Sequence, residues 1–518
     1  MDGNEWMKAA AEKDLKEGVP LPVTVDGKKV MLLLLNAEIH ACGNECSHYG
    51  APLTDGVLKG REITCPWHNA RFDATSGRMI AAPALNDLPH YESRIEDGIV
   101  YIRPGGPHLI QMPEGKDDRS FVIIGAGASG NAAAEGLRRA GFAGGISVIT
   151  AEQDRPYDRT MLSKDFLSGE APAKWLPLRS EKFYSRLKID FLTQHRVESL
   201  DTPSRKITFQ GGESISADRI LIATGGIPRR LNIKGSELRG VHTLRSLTDC
   251  NRILSEIDQA EQVVVLGASF IGLEVAQAFR QRKLSVHVVA PENIPLGRVF
   301  GEEIGRRIQQ VHKEKGVKLH MGRTAQEARG DDRVREVILD DGTRIAADLL
   351  IIGIGITPAV DFLAGSGLVE NSAVPVDTRF QTKADGVFAS GDIAVVPDRF
   401  TGGVRRVEHW VEAERQGQHA AKAMLGSTEP YSEIPFFWTR QFGTSIKYIG
   451  HVRKPDRIVF RGSAEDERFL AGYYENGTLR AASCIGMAKE LIMIGEKMKR
   501  GEHVNPEQLS DIGFDLFE

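Results

Sequence analysis

The 518-residue chain lacks the features of several specialised protein classes. Five cysteines are too few for a disulfide scaffold. The 66 basic and 70 acidic side chains give a net charge of −4, without the basic excess expected of a nucleic-acid-binding protein. The longest apolar runs, such as Val30–Leu35, are far shorter than a membrane-spanning helix of about 20 residues. Because no signal-peptide pattern opens the chain, we expect a cytoplasmic protein with no membrane span and no nucleic-acid partner.

Glycine, in contrast, is abundant, and the chain is long enough for three or four domains of about 150 residues each. The 54 glycines suit tight turns and places where the backbone approaches a ligand. Residues 1–105 hold short apolar runs separated by Asp-Gly and Lys-Gly turns, which predict a small antiparallel β domain. Residues 106–118 are rich in proline, glycine and charge, which predicts a linker.

Two cysteines and two histidines of this β domain stand in a pattern typical of metal ligands. Cys46-Ser-His48 is followed by Cys65-Pro-Trp-His68, so that each of two loops offers one thiol and one imidazole. The four side chains suit a structural zinc site, and equally a Rieske [2Fe–2S] centre with two cysteines on one iron and two histidines on the other. The Tyr-Gly-Ala-Pro-Leu and Phe-Asp-Ala-Thr-Ser-Gly segments that follow the two pairs resemble the Rieske family. The resemblance implies a [2Fe–2S] cluster on these four ligands.

A glycine-rich loop after the linker predicts a dinucleotide-binding fold. The apolar strand Ser120–Ile124 runs into Gly125-Ala-Gly127-Ala-Ser-Gly130 and an alanine-rich helix. Glu152 follows the next apolar strand. In this β–loop–α–β context, the glycines admit a pyrophosphate to the backbone and the acid suits a ribose hydroxyl.

The same unit occurs a second time, with two departures. Its loop reads Gly267-Ala-Ser269-Phe-Ile-Gly272, so serine replaces the middle glycine. The usual ribose-binding position at the end of the next strand is Ala290, which leaves Glu292 as a nearby substitute. The absence of an arginine cluster in the adjacent sequence favours NADH over NADPH. Two such folds predict two dinucleotides, one held as a prosthetic group and one exchanged.

Further motifs occur in the order found in the two-dinucleotide reductases related to glutathione reductase. They are Pro156-Tyr-Asp-Arg159-Thr-Met-Leu-Ser-Lys164, Ala223-Thr-Gly225, Gly353-Ile-Gly-Ile-Thr-Pro358 and Ala389-Ser-Gly391-Asp392. The first motif is similar to that of oxygenase-coupled ferredoxin reductases and apoptosis-inducing factor. With its Rieske-like front, the chain most resembles the Rieske-bearing, apoptosis-inducing-factor-like branch of these flavoproteins.

The resemblance implies a multidomain fold. An all-β Rieske domain would precede two Rossmann-like α/β domains, one for FAD and one for NAD, and a C-terminal α/β domain. The predicted domains are 1–105 (Rieske), 106–118 (linker), 119–244 with 353–428 (FAD), 245–352 (NAD(P)H) and 429–518 (C-terminal).

The resemblance also implies roles for individual residues. Lys164 and Glu274 would pair near the reacting flavin nitrogen, Phe270 would gate or stack on the nicotinamide, and Trp410 would lie against the flavin ring. The residues implied in FAD binding are Gly125, Gly127, Gly130, Glu152, Arg159, Lys164, Val197, Ala223, Thr224, Gly225, Asp392, Glu408, His409, Trp410 and Trp438. Those implied in nicotinamide-cofactor binding are Gly267, Ser269, Gly272, Glu292 and Gly355.

No pair of cysteines accompanies the flavin motifs, since Cys250 and Cys484 are isolated. Dithiol chemistry is therefore not expected, and the Rieske cluster offers another exit for electrons. We expect transfer from NAD(P)H through FAD to the cluster, and on to a protein acceptor such as an oxygenase or cytochrome P450. His48 and His68, in loop tips, are expected to face outward. The alternative is a redox sensor whose conformation responds to NADH, and homodimerisation is a further expectation.

Overall fold

A computed structural model describes residues 5–105 and 109–518. The architecture combines one all-β domain, two parallel-sheet α/β units and a C-terminal α/β domain, which confirms the expected fold class. Of the expected linker, residues 106–108 lie outside the described part, and residues 109–118 form neither helix nor strand. Among the described residues, no helix is long and apolar enough to cross a membrane.

The N-terminal β domain contains a six-stranded antiparallel sheet and a four-stranded sheet. Asp26 and Gly27, both at positive φ, make the two-residue hairpin between the strands of residues 21–25 and 28–35. In spatial order the first sheet contains Met7–Ala11, Ile99–Pro104, His90–Glu96, Glu38–Gly43, Lys28–Leu35 and Leu21–Val25. The second sheet contains Val57–Lys59, Glu62–Thr64, Arg71–Asp73 and Met79–Ala81.

The first dinucleotide fold is a parallel five-stranded sheet whose last strand comes from a distant part of the chain. Small residues let its two long helices approach closely, because a Cβ on Gly136 would lie 3.0 Å from that of Ala421. The sheet contains Ile189–Leu192, Gly145–Ile149, Ser120–Ile124, Arg219–Ile222 and Val387–Ala389. Its helices are Ala128–Arg139, Asp165–Ser168, Glu181–Arg186 and Trp410–Met424. Small antiparallel sheets flank it, formed by Val197–Asp201, Lys206–Phe209 and Ser214–Ser216, and by Val374–Pro375, Ala394–Asp398 and Gly403–Arg405.

The second dinucleotide fold repeats this plan and is joined to the first by the paired strands Gly226–Pro228 and Ile356–Pro358. Its parallel sheet contains Val241–Thr243, Leu349–Ile352, Gln262–Leu266, Ser285–Ala290 and Val317–Met321. Its helices are Leu247–Ile257, Phe270–Gln281, Gly297–Phe300 and Glu302–Glu314. An antiparallel sheet of Ala325–Arg329, Glu336–Leu339 and Arg344–Ala346 covers one side.

The C-terminal domain is an antiparallel five-stranded sheet with two helices. Its strands, in spatial order, are Phe436–Gln441, Thr444–Gly450, Thr478–Ile485, Phe469–Glu475 and Arg457–Arg461. The helices are Ala488–Arg500 and Pro506–Ser510. The edge strand Phe436–Gln441 lies between the N-terminal domain and the second dinucleotide fold, so its two faces meet different partners.

Short 3₁₀ helices connect these elements. They are Glu12–Asp14, Leu53–Asp55, Arg159–Met161, Ala173–Trp175, Asp361–Leu363 and Gly391–Ile393.

Candidate functional site

The loops that begin with Cys46-Ser-His48 and Cys65-Pro-Trp-His68 share their backbone hydrogen bonds. In each, the cysteine N–H donates to the carbonyl five residues later, and its own carbonyl accepts from the N–H four residues later. The fourth residue after each cysteine, Gly50 in one loop and Asn69 in the other, has a left-handed backbone conformation. The repeated turn presents one cysteine and one histidine from each loop, although the histidine is the second residue after Cys46 and the third after Cys65.

The four candidate ligands meet as two pairs. Nδ1 of His48 lies 3.0 Å from Nδ1 of His68, and the buried thiols of Cys46 and Cys65 hydrogen bond to each other. Burial lowers the pKa of His48 to about 4 and that of His68 to about 2. Both imidazoles are therefore neutral at neutral pH, the state that binds a metal. A cysteine pair beside a histidine pair suits a cluster with one iron for each, and these residues fit a Rieske [2Fe–2S] centre.

A large cavity of ≈ 850 Å³ lies between the two dinucleotide folds and the C-terminal domain. Most of the residues expected to bind FAD or the nicotinamide cofactor line it. Those lining it are Gly125, Gly127, Glu152, Arg159, Lys164, Val197, Ala223, Thr224, Gly225, Ser269, Phe270, Glu274, Gly355, Asp392, Glu408, His409, Trp410 and Trp438.

The first glycine loop has open space beside its middle glycine, Gly127. A Cβ on Gly125 would lie 2.2 Å from the Ala223 carbonyl oxygen, and one on Gly130 would lie 1.8 Å from that of Gly125, so backbone packing requires both glycines. Gly127 differs, because its φ of −79° suits any residue and a Cβ there would meet nothing within 4 Å. The open space at Gly127 faces the cavity, as expected for a loop that admits a pyrophosphate.

The second glycine loop has the same framework with its middle position filled. Gly267 and Gly272 are required by close backbone contacts, as Gly125 and Gly130 are. Ser269 instead caps the helix Phe270–Gln281, since its hydroxyl accepts from the Gly272 N–H and donates to the Gly353 carbonyl.

Four of the expected cofactor-binding residues do not line the cavity: Gly130, Gly267, Gly272 and Glu292. The three glycines serve the packing just described. Glu292 has one arginine side chain near it. Arg298 Nη2 lies 3.9 Å from the Glu292 carboxylate. One such pair is not an arginine cluster, so the preference for NADH over NADPH stays a prediction.

The two acidic residues expected to bind FAD, Glu152 and Asp392, each pair with an arginine. Glu152 accepts from Arg159 Nη2 at 2.7 Å and from the Tyr157 hydroxyl at 2.5 Å. Asp392, at the other end of the site, pairs with Arg245 Nη2 at 2.9 Å. Cations therefore stand beside both carboxylates.

The expected pairing of Lys164 with Glu274 is present. Lys164 Nζ lies 2.9 Å from Glu274 Oε2, and the Ser163 hydroxyl donates to the same oxygen at 2.7 Å. Thr439 Oγ1 lies 3.3 Å from the other oxygen, Oε1. Glu274 is buried, whereas Lys164 is partly exposed at the cavity wall. The pair thus places an ammonium group at the cavity on a carboxylate anchored from behind.

Aromatic rings line the cavity on both sides of the strand Phe436–Gln441. On one face, Phe437 stacks on His409 with ring centroids 4.0 Å apart and contacts Phe270 at 5.3 Å. On the other face, Trp438 packs against His68 at 4.1 Å. Because successive side chains of a strand point in opposite directions, the adjacent residues Phe437 and Trp438 reach His409 on one side and His68 on the other.

The orientation of the cluster loops differs from the sequence expectation. His48 and His68 do not face outward, since both contact Trp438, at 6.3 Å and 4.1 Å, and both are half-buried. A loop tip looked exposed only because the sequence does not reveal which domain packs on it. The histidine side of the cluster site is turned toward the cavity.

The N-terminal domain is held in this position by buried polar contacts. Arg415, on the helix that begins at Trp410, donates through Nη2 to the carbonyl and side-chain oxygens of Asn69, at 2.5 Å and 2.8 Å. Glu433 pairs with Arg71 of the N-terminal domain and lies 3.8 Å from Arg415. Burial would raise the pKa of Glu433, but Arg71 and Arg415 lower it to about 2. We call Arg71, Arg415 and Glu433 the docking clamp.

The residues that sequence reasoning missed lie mostly far along the chain from their partners. No sequence motif predicts the contacts of Arg245, Arg415 or Phe437. For Phe437 a signal existed, because it lies next to Trp438 in an alternating strand. For Arg415 and Arg245 we find no local signal.

The cysteines outside the cluster loops take no part in the cavity. Burial raises the pKa of both Cys250 and Cys484 to about 12. Among the described residues, no cysteine lines the cavity. Both thiols are protonated at neutral pH, so dithiol chemistry beside the flavin has no nucleophile here.

Two dinucleotide folds around one cavity, with a docked domain of paired cysteine and histidine ligands, define an FAD-dependent NAD(P)H oxidoreductase that carries a Rieske [2Fe–2S] domain. The family description "Pyridine nucleotide-disulphide oxidoreductase" matches residues 119–417. The Rieske [2Fe-2S] domain matches residues 5–92, and the reductase C-terminal domain matches residues 436–518. The chain belongs to the pyridine nucleotide-disulphide oxidoreductase family.

Relatives cover either the whole chain or its reductase part. Apoptosis-inducing factor 3 of Homo sapiens is 33% identical over 96% of this chain and 84% of its own length. The ferredoxin–NAD(+) reductase component of the biphenyl dioxygenase system of Paraburkholderia xenovorans (strain LB400) is 35% identical over 77% of this chain and 97% of its own. The crystal structure of the ferredoxin reductase for the CYP199A2 system from Rhodopseudomonas palustris matches 77% of this chain and 99% of its own, with a TM-score of 0.73 and 32% identity.

Proposed function

We propose that this protein passes electrons from NADH through FAD and Trp438 to its own Rieske cluster, and from there to an oxygenase or cytochrome P450. The observation that carries the proposal is the 4.1 Å contact of Trp438 with His68, because Trp438 also lines the dinucleotide cavity. When bound, the flavin accepts a hydride and returns single electrons, and the cluster carries one electron at a time.

The residues divide this task between two sides of the cavity. On the nicotinamide side, Phe270, His409 and Phe437 form an aromatic wall, and Lys164 is held at the cavity by Glu274. A fixed ammonium group stabilises negative charge that develops beside it without reorganising.

On the cluster side, Trp438 fills the space between the cavity and the histidine pair. The docking clamp holds this geometry by fixing Asn69, the residue next to His68. The donor and acceptor are therefore preorganised within one chain, at high effective concentration.

The proposal of an oxygenase or cytochrome P450 as the acceptor is supported by the relatives, whose names include dioxygenase and CYP systems. Those reductases cover 77% of this chain, and the Rieske domain at residues 5–92 gives this chain a cluster of its own. NADH is proposed as the donor because the biphenyl-system relative is a ferredoxin–NAD(+) reductase. The cytoplasmic location, the homodimer, the domain bounds and the individual site roles remain parts of this proposal.

The test is an anaerobic rapid-mixing experiment on the holoprotein with NADH, and separately with NADPH. Flavin absorbance and the EPR signal of the reduced cluster are followed together. We expect the flavin to bleach and the cluster to gain an electron within turnover time, and an added oxygenase to draw electrons onward. A long-lived reduced-flavin–NAD⁺ complex beside an oxidised cluster would contradict the proposal and favour a redox sensor.

A further inference from the structure

A line of hydrogen bonds leads from Glu274 into the core between the second dinucleotide fold and the C-terminal domain. Thr439 Oγ1 lies 3.3 Å from Glu274 Oε1, and Gln441 Nε2 donates to Thr439 Oγ1 at 2.7 Å. Gln441 Oε1 lies 2.9 Å from Nε2 of His312. Thr439, Gln441 and His312 are all fully or almost fully buried. Buried polar side chains of this kind need every proton placed correctly, because an unpaired donor is costly.

The buried ring of His312 determines which atoms donate and which accept along this line of hydrogen bonds. Burial lowers the pKa of His312 to about 4, so the ring carries a single proton at neutral pH. Its Nδ1 has no hydrogen-bond partner within the described part of the chain. A proton on Nδ1 would be a buried donor without an acceptor, whereas a proton on Nε2 is accepted by Gln441. The Nε2–H tautomer is therefore favoured.

The remaining protons follow from that tautomer. Since Gln441 Oε1 accepts from His312, its NH₂ group faces Thr439 and donates to the hydroxyl oxygen. The Thr439 hydroxyl proton is then free to point at Glu274 Oε1. Ser163 and Lys164 donate to the other oxygen, so all donors converge on the Glu274 carboxylate.

We propose that Thr439, Gln441 and His312 are positioning residues that orient the Glu274 carboxylate and, through it, hold the Lys164 ammonium group at the flavin site. None of the three lines the cavity. They act through Glu274, and the His312 tautomer determines which group is the donor in each hydrogen bond of the line. The inference deepens the flavin step of the proposed function and does not depend on transfer to the cluster.

The kinetic test uses three variants of the holoprotein. Thr439→Val keeps the shape and removes the hydroxyl, Thr439→Ser restores it, and Thr478→Val changes a threonine of the same sheet outside the line. In rapid mixing with NADH, we expect flavin reduction to slow about tenfold in Thr439→Val, about the value of one hydrogen bond. Thr439→Ser and Thr478→Val are expected to stay within about twofold of wild type, and the NADH concentration for half-saturation is expected to stay unchanged.

A second readout does not depend on turnover. Nitrogen-15 NMR of histidine-labelled wild-type protein reports which ring nitrogen of His312 carries the proton, with His312→Phe used only to assign the signal. We expect an Nε2–H ring that stays neutral at pH 6.

Two results would overturn the proposal. One is flavin reduction at the wild-type rate in Thr439→Val, and the other is a His312 ring that is protonated on Nδ1 or charged at pH 6. Flavin reduction is measured before the cluster is involved. A failure of onward transfer would therefore count against the proposed function and leave this inference standing.

Discussion

The two faces of the strand Phe436–Gln441 differ in what they contact. Phe437, Thr439 and Gln441 lie on one face, where they meet His409 of the first dinucleotide fold and Glu274 and His312 of the second. Phe436 and Trp438 face the N-terminal domain, where Trp438 packs on His68 and Phe436 lies beside Cys65. In the proposed function, this one strand separates the side where hydride enters from the side where electrons leave.

The comparison teaches that the two sides have different physical requirements. The face toward Glu274 is a directed polar network with an aromatic wall, which suits orientation of a charged group at the flavin. The face toward His68 is aromatic. The docking clamp, a separate set of buried charges, keeps the distance between Trp438 and His68 constant. We expect substitutions on one face to change one step and leave the other alone.

The largest effect is expected at the Lys164–Glu274 pair. Glu274→Gln removes the charge that holds Lys164, and we expect flavin reduction by NADH to slow by about 100-fold. Rapid mixing measures this step by flavin absorbance, while photochemically reduced flavin should still pass an electron to the cluster at the wild-type rate. Glu314→Gln, at the end of an outer helix of the same fold, is the matched control. An equal loss in both steps would break the proposed division.

The docking clamp is expected to give the next largest effect. Arg415→Met removes one of the cations near Glu433 and leaves Asn69 without its buried donor, at a cost of about 3 kcal/mol. We expect faster proteolytic cleavage between residues 105 and 118 and slower cluster reduction, with flavin reduction unchanged. Arg78→Met, an exposed position in the same N-terminal domain, is the control. Cleavage at the wild-type rate would show that other contacts hold the domain.

The clamp also predicts a dependence on pH. The folded-state pKa of Glu433, about 2, is below its ordinary value of 4.5. Its contribution to stability is therefore complete above about pH 4.5 and is lost as the pH falls toward 2. We expect Glu433→Gln to lower the urea midpoint of N-terminal-domain undocking at pH 7 and to leave it nearly unchanged near pH 2. A midpoint difference of equal size at both pH values would contradict the ion pair.

The smallest effect is expected at the second glycine loop. Ser269→Gly restores the middle glycine and gives up a helix cap, at a cost of a few tenths of a kcal/mol. We expect a change of about twofold in the NADH concentration for half-maximal flavin reduction, with cluster reduction unaffected. Steady-state and rapid-mixing data together check this. A slower cluster step would show that the two sides are coupled through this loop.

Local patterns made much of the site predictable. The cysteine–histidine pairs and the glycine loops are short segments whose chemistry is fixed by adjacent residues. The resemblance that they carry predicted the Lys164–Glu274 pairing. Contacts between domains were not predictable, because Arg415 and Asn69 are 346 residues apart in the sequence. The orientation of His48 and His68 was predicted wrongly for the same reason, because the sequence does not show which domain packs on their loops. At Trp438, composition could not distinguish a core aromatic from one that joins two sites.

The most direct measurement is rapid mixing of Trp438→Leu holoprotein with NADH, with flavin absorbance and cluster EPR recorded together. Trp175→Leu, an exposed tryptophan outside the cavity, is the control. The account predicts wild-type flavin reduction in both variants, and cluster reduction slowed about 100-fold in Trp438→Leu alone, as for a misplaced reacting pair. Cluster reduction at the wild-type rate in Trp438→Leu would contradict the account.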